Sequence, residues 1–197
     1  PNSGLVGLCY YDAGSRSFYL TREVNTVEDM KGLKIRVQDN QMMKRMVELL
    51  GATPVTGIGP NDVQQAIATG VVDGAENNWP TYQNMGDYEV ANYYILDQHT
   101  RVPEILLASA EVLSQLDPKD VEIIKAAAKD TQEYEIAEWA KKEASSEQIV
   151  RDAGAIVVEL TAEARAKFEE AMTPLYEEFG SEWMDLIEQI KKVGEDF

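Results

Sequence analysis

The chain has 197 residues, enough for one generous domain or two small ones, and its 18 Lys and Arg face 35 Asp and Glu for a formal net charge of −17. That balance excludes a nucleic-acid binder, which needs basic patches to neutralise phosphates, and an electrostatic anchor on an anionic membrane. Apolar residues at 44% and charged residues at 27% are ordinary for a folded protein, and no apolar run approaches the ~20 residues of a membrane helix, so no membrane insertion is expected.

The first half alternates short apolar runs with amphipathic stretches. Gly4 to Tyr11 and Ser17 to Thr21 read as strands flanking a turn at Asp12-Ala13-Gly14. Thr26-Val27-Glu28-Asp29 has the form of a capping box opening one helical turn, which Lys31-Gly32 closes. Leu33 to Val37 follows as a strand. Residues 40–50 carry Met43, Met46, Val47 and Leu50 at helical spacing, stopped by Gly51. Thr53 to Thr56 is a short strand, Pro60 or Asn61 starts a helix running to Gly70, Val71 to Ala75 is a strand, and Trp79-Pro80 opens another helix. This order indicates α/β architecture with a partly parallel sheet.

The second half changes character. Glu104 to Ser109 reads as a buried strand. Asp117-Pro118 is a helix start, and nothing breaks the pattern from there to Asp152, with Ile123, Ala127, Tyr134, Ala137 and Ala144 near one face. A helix of ~35 residues spans about 50 Å. Gly154 ends it, Ala155 to Val158 is a strand, and a last helical region repeats Phe168, Met172, Leu175, Phe179, Trp183, Leu186, Ile190 and Val193, divided at Pro174 and Gly180.

Few residues are equipped for catalysis. Cys9 is alone in an apolar run and reads as a small buried hydrophobe, and His99 is the only histidine, so Cys/His zinc sites are excluded by count. No EF-hand spacing or phosphate loop occurs, no acid–base pair stands out among so many carboxylates, and no cofactor is expected. Arg36 is the most informative residue. It lies mid-strand between Ile35 and Val37 and points to the opposite face. Its guanidinium must reach solvent, a protein carboxylate, or a bound anion held by two parallel hydrogen bonds. Arg16, in Gly14-Ser15-Arg16-Ser17, is either turn-exposed or a second cationic contact. Asp73 to Pro80 joins a strand end to a helix start, where open α/β sheets place ligands. Asn77 and Asn78 there offer amide groups to hydroxyls, and Trp79 or Tyr82 offers a flat face to a sugar ring, unless the segment is a capped turn with Trp79 as core.

These segments together resemble a known family. Met30-Lys31-Gly32-Leu33-Lys34-Ile35-Arg36-Val37 resembles the D-x-K-G-L-K-x-R-V signature of substrate-binding proteins of tripartite ATP-independent periplasmic (TRAP) transporters, the DctP family. Leu50-Gly51-Ala52-Thr53-Pro54-Val55, Val63 to Gly70, and Val71 to Asn77 match in order and spacing, and Gly14-Ser15-Arg16 falls where the family carries G-x-R. The helix after Asp117-Pro118 is similar to the family's lobe-spanning helix.

The resemblance implies a two-lobed periplasmic-binding-protein-like fold that captures an organic acid in the periplasm and delivers it to a membrane permease, without catalysis. Carried over by motif, Arg36 is the main carboxylate clamp, Arg16 a second cationic contact and Asn77 a polar contact. The family often places an aromatic ring shortly before the Val63 helix, where this chain has Gly57-Ile58-Gly59-Pro60. Glu76-Asn77-Asn78-Trp79-Pro80 is similar to members that bind sugar acids such as uronates.

The chain begins at Pro1, with neither Met nor a basic and apolar leader, so a soluble chain starting downstream of its gene product's start is expected. On the family pattern, residues 12–102 and 153–197 form the second lobe. Residues 1–11 and 103–152 are a remnant of the first lobe with the long connecting helix. The expectation is then half a cleft, weak ligand affinity, and an unpaired strand at Glu104 to Ser109 that invites a non-native dimer. Two other functions fit less of the sequence: a periplasmic sensor or scaffold module presenting ligand to a receptor, and a hydrolase or lyase acting on sugar acids.

Overall fold

The computed structural model describes residues 3–194, so the tips of the expected lobes at residues 1–2 and 195–197 lie outside the described residues. The strands are β1 (Leu5–Tyr11), β2 (Ser15–Leu20), β3 (Lys34–Arg36), β4 (Thr53–Val55), β5 (Gly74–Asn77), β6 (Tyr93–Arg101), β7 (Glu104–Ser109) and β8 (Ile156–Val158). Between and after them come α1 (Gln41–Leu49), α2 (Val63–Ala68), α3 (Trp79–Asn84), α4 (Ala110–Ser114), α5 (Pro118–Asp152), α6 (Ala162–Ala171), α7 (Thr173–Phe179) and α8 (Met184–Gly194). The α/β expectation is met.

Six strands form one mixed sheet in the order β4-β3-β5-β2-β6-β8. β3 runs parallel to β4 and β5, β6 runs parallel to β8, and β2 is inserted antiparallel to both β5 and β6. Alternation along the strands sends neighbouring residues into two different cores. Phe18, Leu20, Ile35 and Ile95 face one layer with Met46 and Phe168, while Tyr19, Ala75 and Tyr94 face the other with Val63, Tyr82 and Val150.

Local chemistry sets the element ends. The Asn40 side chain accepts from the backbone N–H groups of Met42 and Met43 and so caps α1. At the expected capping box, the Asp29 carboxylate accepts from the backbone N–H groups of Asn25 and Thr26 and holds a single 3-10 turn over Val27–Met30. Asp117 caps α5 by accepting from Lys119 N, and the helix then runs 35 residues. The last helical region divides as Pro174 and Gly180 imply, into α6, α7 and α8.

The structure corrects four expectations. The strand expected at Val71 to Ala75 begins only at Gly74, because the N–H groups of Val71 and Val72 both turn back to Ala66 O to close α2. β1 and β2 flank the Asp12–Gly14 turn but do not pair with each other. β1 instead pairs antiparallel with β7, from Leu5↔Ser109 to Tyr11↔Glu104. β7 is therefore neither unpaired nor buried: one edge is taken by β1, while Ile105 and Leu107 stay exposed. On α5 the expected apolar face is largely open, with Ile123 and Tyr134 exposed. The helix buries Ala128, Ser146 and Val150 instead, because only that side meets the rest of the chain.

Gly74 is where β5 passes closest to β2. A Cβ there would lie 2.2 Å from Tyr19 O and 2.7 Å from Leu20 Cδ2, inside contact distance with backbone that cannot swing away. Gly74→Ala is expected to destabilise the fold by about 3 kcal/mol, the upper range for overpacking, as read from the urea midpoint. A variant as stable as wild type would show that β2 and β5 can separate freely.

Candidate functional site

The ends of three strands bring the candidate residues to one end of the sheet. Arg36 closes β3, Asn77 closes β5, and Arg16 lies at the start of antiparallel β2, so all three sit at the same end, the carboxyl end of the parallel strands. Ser17 pairs with Asn77, which places Arg16 one residue beyond that row.

The two arginines are held differently. Arg16 spends its whole fork on β5. Its Nε donates to Glu76 Oε2 at 2.6 Å and its Nη2 to Glu76 Oε1 at 2.9 Å and Glu76 O at 3.0 Å, while Nη1 donates to Asn77 Oδ1 at 2.9 Å. Burial opposes its charge, but Glu76's hydrogen bond and charge win and raise its pKa. Arg36 is only 7% exposed. Its Nε and Nη2 both donate to Ile58 O, at 3.1 and 2.9 Å, and among the described residues it makes no ion pair. A nearly buried guanidinium with neutral carbonyl support has lost much of its hydration without gaining a counter-charge in contact.

The remaining candidates follow from how α3 begins. Asn78 is its cap: Oδ1 accepts from Thr81 N and Nδ2 donates to Ala13 O, tying β5 to the Asp12–Gly14 turn. Trp79 is 8% exposed and stacks on Tyr94 with centroids 3.7 Å apart. It also lines a cavity of about 240 Å³ with Ser15, Ser17 and Glu143. Tyr82 departs from expectation. Its ring is fully buried against Tyr19 and Tyr94 and its hydroxyl donates to Ala91 O, so no face is left for a ligand and its role is to back Trp79. A larger groove of about 1510 Å³ lies between α1 and α6–α8, and neither arginine lines it.

The geometry can be set beside known proteins. The chain matches the family described as bacterial extracellular solute-binding protein, family 7 (DctP), over residues 2–182. The chain belongs to this family. A DctP-family relative in Chromohalobacter salexigens, called a solute-binding protein, is 37% identical over 183 residues, covering 92% of this chain and 54% of that protein. The chain thus spans about half the length of the curated relatives it matches. Among solved structures, a TRAP periplasmic solute binding protein from Sulfitobacter sp. NAS-14.1 with bound β-D-galacturonate superposes with a TM-score of 0.85 at 40% identity, covering 94% of this chain and 61% of that one. One from Pseudomonas putida F1 with bound D-glucuronate gives 0.89 at 33% identity, covering 97% and 61%. The family and these neighbours are solute-binding proteins rather than enzymes.

Sequence reasoning passed over the charges behind Arg16. Glu76 is fully buried between Arg16 and His99, and His99 Nδ1 lies 2.7 Å from Asp97 Oδ2, with Nε2 3.5 Å from Glu76 Oε2. Asp97 Oδ1 also accepts from Phe18 N, and Ser17 Oγ accepts from Gln98 N, filling the irregularity where β2 and β6 slip register. A lone histidine carried no signal; it gains partners only because β6 turns beside β2 and β5. Burial opposes the imidazolium, but Asp97's charge and hydrogen bond, with Glu76 behind them, raise its pKa to about 9. Burial likewise opposes the Glu76 carboxylate, yet the Arg16 hydrogen bonds and the charges of Arg16 and His99 beside it hold its pKa low.

A histidine whose pKa rises on folding holds its proton more tightly folded than unfolded. Its stabilisation is fully present below the unfolded value of 6.5 and is lost as pH rises through about 9. Thermal stability is expected to fall across that window, by on the order of 3 kcal/mol from this group, and His99→Gln to flatten the profile. Melting curves that match for the two proteins throughout would refute the charged network.

Proposed function

We propose that this chain is the ligand-gripping part of an extracytoplasmic, periplasmic solute-binding protein that captures a sugar-acid anion of the uronate class and hands it to a TRAP membrane permease. The six-stranded sheet with its helices, residues 12–102 and 153–197, acts in this reading as one lobe. Residues 1–11 and 103–152, with β1, β7 and α5, belong to the other lobe and to the connection between them.

One observation carries the reading: Arg36 is charged, nearly buried and, among the described residues, free of any ion pair, at the strand end where ligands of open α/β sheets sit. A carboxylate supplies the missing counter-charge. Its planar pair of oxygens fits a guanidinium fork, and a dehydrated site makes that attraction far stronger than in water. The ligand's hydroxyls are then read by Asn77, its ring rests near Trp79, Asn78 is spent holding α3 and the Asp12–Gly14 turn, and Arg16, spent on Glu76, orients Asn77. The galacturonate and glucuronate bound to neighbours at 40% and 33% identity support a uronate over a dicarboxylate. Where the family often has a ring, Ile58 contributes instead its backbone oxygen, which aims Arg36.

Ligand closure stabilises whichever lobe arrangement bridges the anion, so affinity depends on this one contact. In the full gene product, Arg36→Ala is expected to weaken D-galacturonate and D-glucuronate binding by about a hundredfold or more, and Arg36→Lys by about tenfold, because the charge stays and the fork is lost. Isothermal titration calorimetry measures both. Arg36→Ala binding within about threefold of wild type overturns the assignment.

A further inference from the structure

The register of three strands sets Arg36 in a row with two other side chains. Ile35 is opposite Gly74, so Arg36 lies beside Ala75, and Ala75 is opposite Tyr19. All three project to the face covered by α2 and α3, since Ala75 and Tyr19 belong to that core and Ile35 to the other. Ala75 is short and leaves the space between Arg36 and Tyr19 to their own long side chains. Above Tyr19 sits Asp87, in the 3-10 turn Asp87–Glu89. It is 2% exposed. Its Oδ2 accepts from the Tyr19 hydroxyl at 2.7 Å, and its Oδ1 has no hydrogen-bond partner. A buried carboxyl satisfied on one side only is unusual and needs a reason.

We propose that Asp87 is the internal counter-charge of Arg36 and thereby sets the affinity of the anion site. The inference rests on the reading of Arg36 as the ligand's carboxylate grip. Asp87 makes no contact ion pair with Arg36, so it does not block the fork. It acts across the low-dielectric space above Ala75, where a charge is felt over several ångströms. When Asp87 is ionised, it offsets part of the potential an incoming anion meets. When it is protonated, Arg36 presents its full charge. The carboxyl thus keeps the empty site tolerable in the core and limits how tightly the anion is held, which suits a protein that must release its cargo.

The surroundings agree. Burial raises the Asp87 pKa, opposed by the Tyr19 hydrogen bond and by the charge of Arg36. Burial, with the charge and hydrogen bond of Asp87, pushes the Tyr19 phenol well up, while Arg36 pulls it down. From α3, Tyr82 also feels Asp87 and keeps its proton. Glu89, on the same turn as Asp87, is exposed and engaged by Gln64. The titratable groups facing Asp87 are therefore two neutral phenols and one guanidinium.

The test is calorimetry of D-galacturonate binding to the full gene product, wild type against Asp87→Asn, which keeps the shape and an acceptor for Tyr19. At about pH 8 Asp87→Asn is expected to bind roughly three- to tenfold tighter, with the gap closing as pH is lowered and Asp87 takes up its proton. Arg36→Ala is the companion arm. Loss of binding there, with Asp87→Asn no tighter than wild type at about pH 8 and equally folded by thermal melt, overturns this proposal alone. Unchanged binding in Arg36→Ala overturns the grip and the counter-charge together. A carbon-13 titration of the Asp87 carboxyl supplies a ligand-free check: its pKa should rise in Arg36→Ala, and an unchanged value refutes the coupling.

Discussion

The constraint on which the site depends is Arg36, an arginine nearly buried without an ion pair among the described residues. In a chain with a net charge of −17, the cheapest arrangement for any arginine is an ion pair, and Arg16 takes it, with both Glu76 oxygens in its fork. Arg36 does not. It is held 7% exposed by one carbonyl oxygen, with its charge uncompensated in contact. Burying a charge without a partner is costly, so a fold that keeps this arrangement is set up for a partner that arrives. The global field repels anions at long range, but a local guanidinium in a low-dielectric setting outweighs it at short range.

The sheet makes that arrangement possible. Inserting β2 antiparallel between β5 and β6 brings the beginning of one strand level with the ends of the others, and so puts Arg16 next to Asn77. The same insertion sets Glu76, Asp97 and His99 together beneath Arg16. On the opposite face it aligns Arg36, Ala75 and Tyr19 under Asp87. Two charged groups thus flank one sheet end. One is closed on itself in ion pairs; the other, Arg36, is held by a neutral carbonyl.

Away from the site, β1, β7 and α5 form a separate layer whose outer surface carries Leu5, Tyr10, Ile105, Leu107 and Ile123 in the open. The chain spans about half the length of its curated relatives, and the expected apolar stripe of α5 falls on this open side. Helical periodicity identified the stripe correctly as apolar but could not tell which side the chain itself covers.

Much of the fold was legible in residues acting locally. Asn40, Asp29 and Asp117 mark helix starts through hydrogen bonds to groups two or three residues away, and Gly51, Pro174 and Gly180 mark interruptions through backbone constraints. The family signature around Arg36 was equally local, so Arg36 could be singled out from sequence. What sequence could not supply were the pairings: β1 with β7 rather than β2, the burial of Tyr82, the sharing of Glu76 between Arg16 and His99, and the position of Asp87 over Tyr19. Those contacts join residues separated by tens of positions, and nothing in a hydropathy pattern or a spacing encodes which acid faces which base. Length, composition and charge set only which classes of partner to expect. Only the tertiary structure decided that Arg36 is nearly buried with no carboxylate in contact among the described residues, because that depends on the distance to every carboxylate in the folded chain.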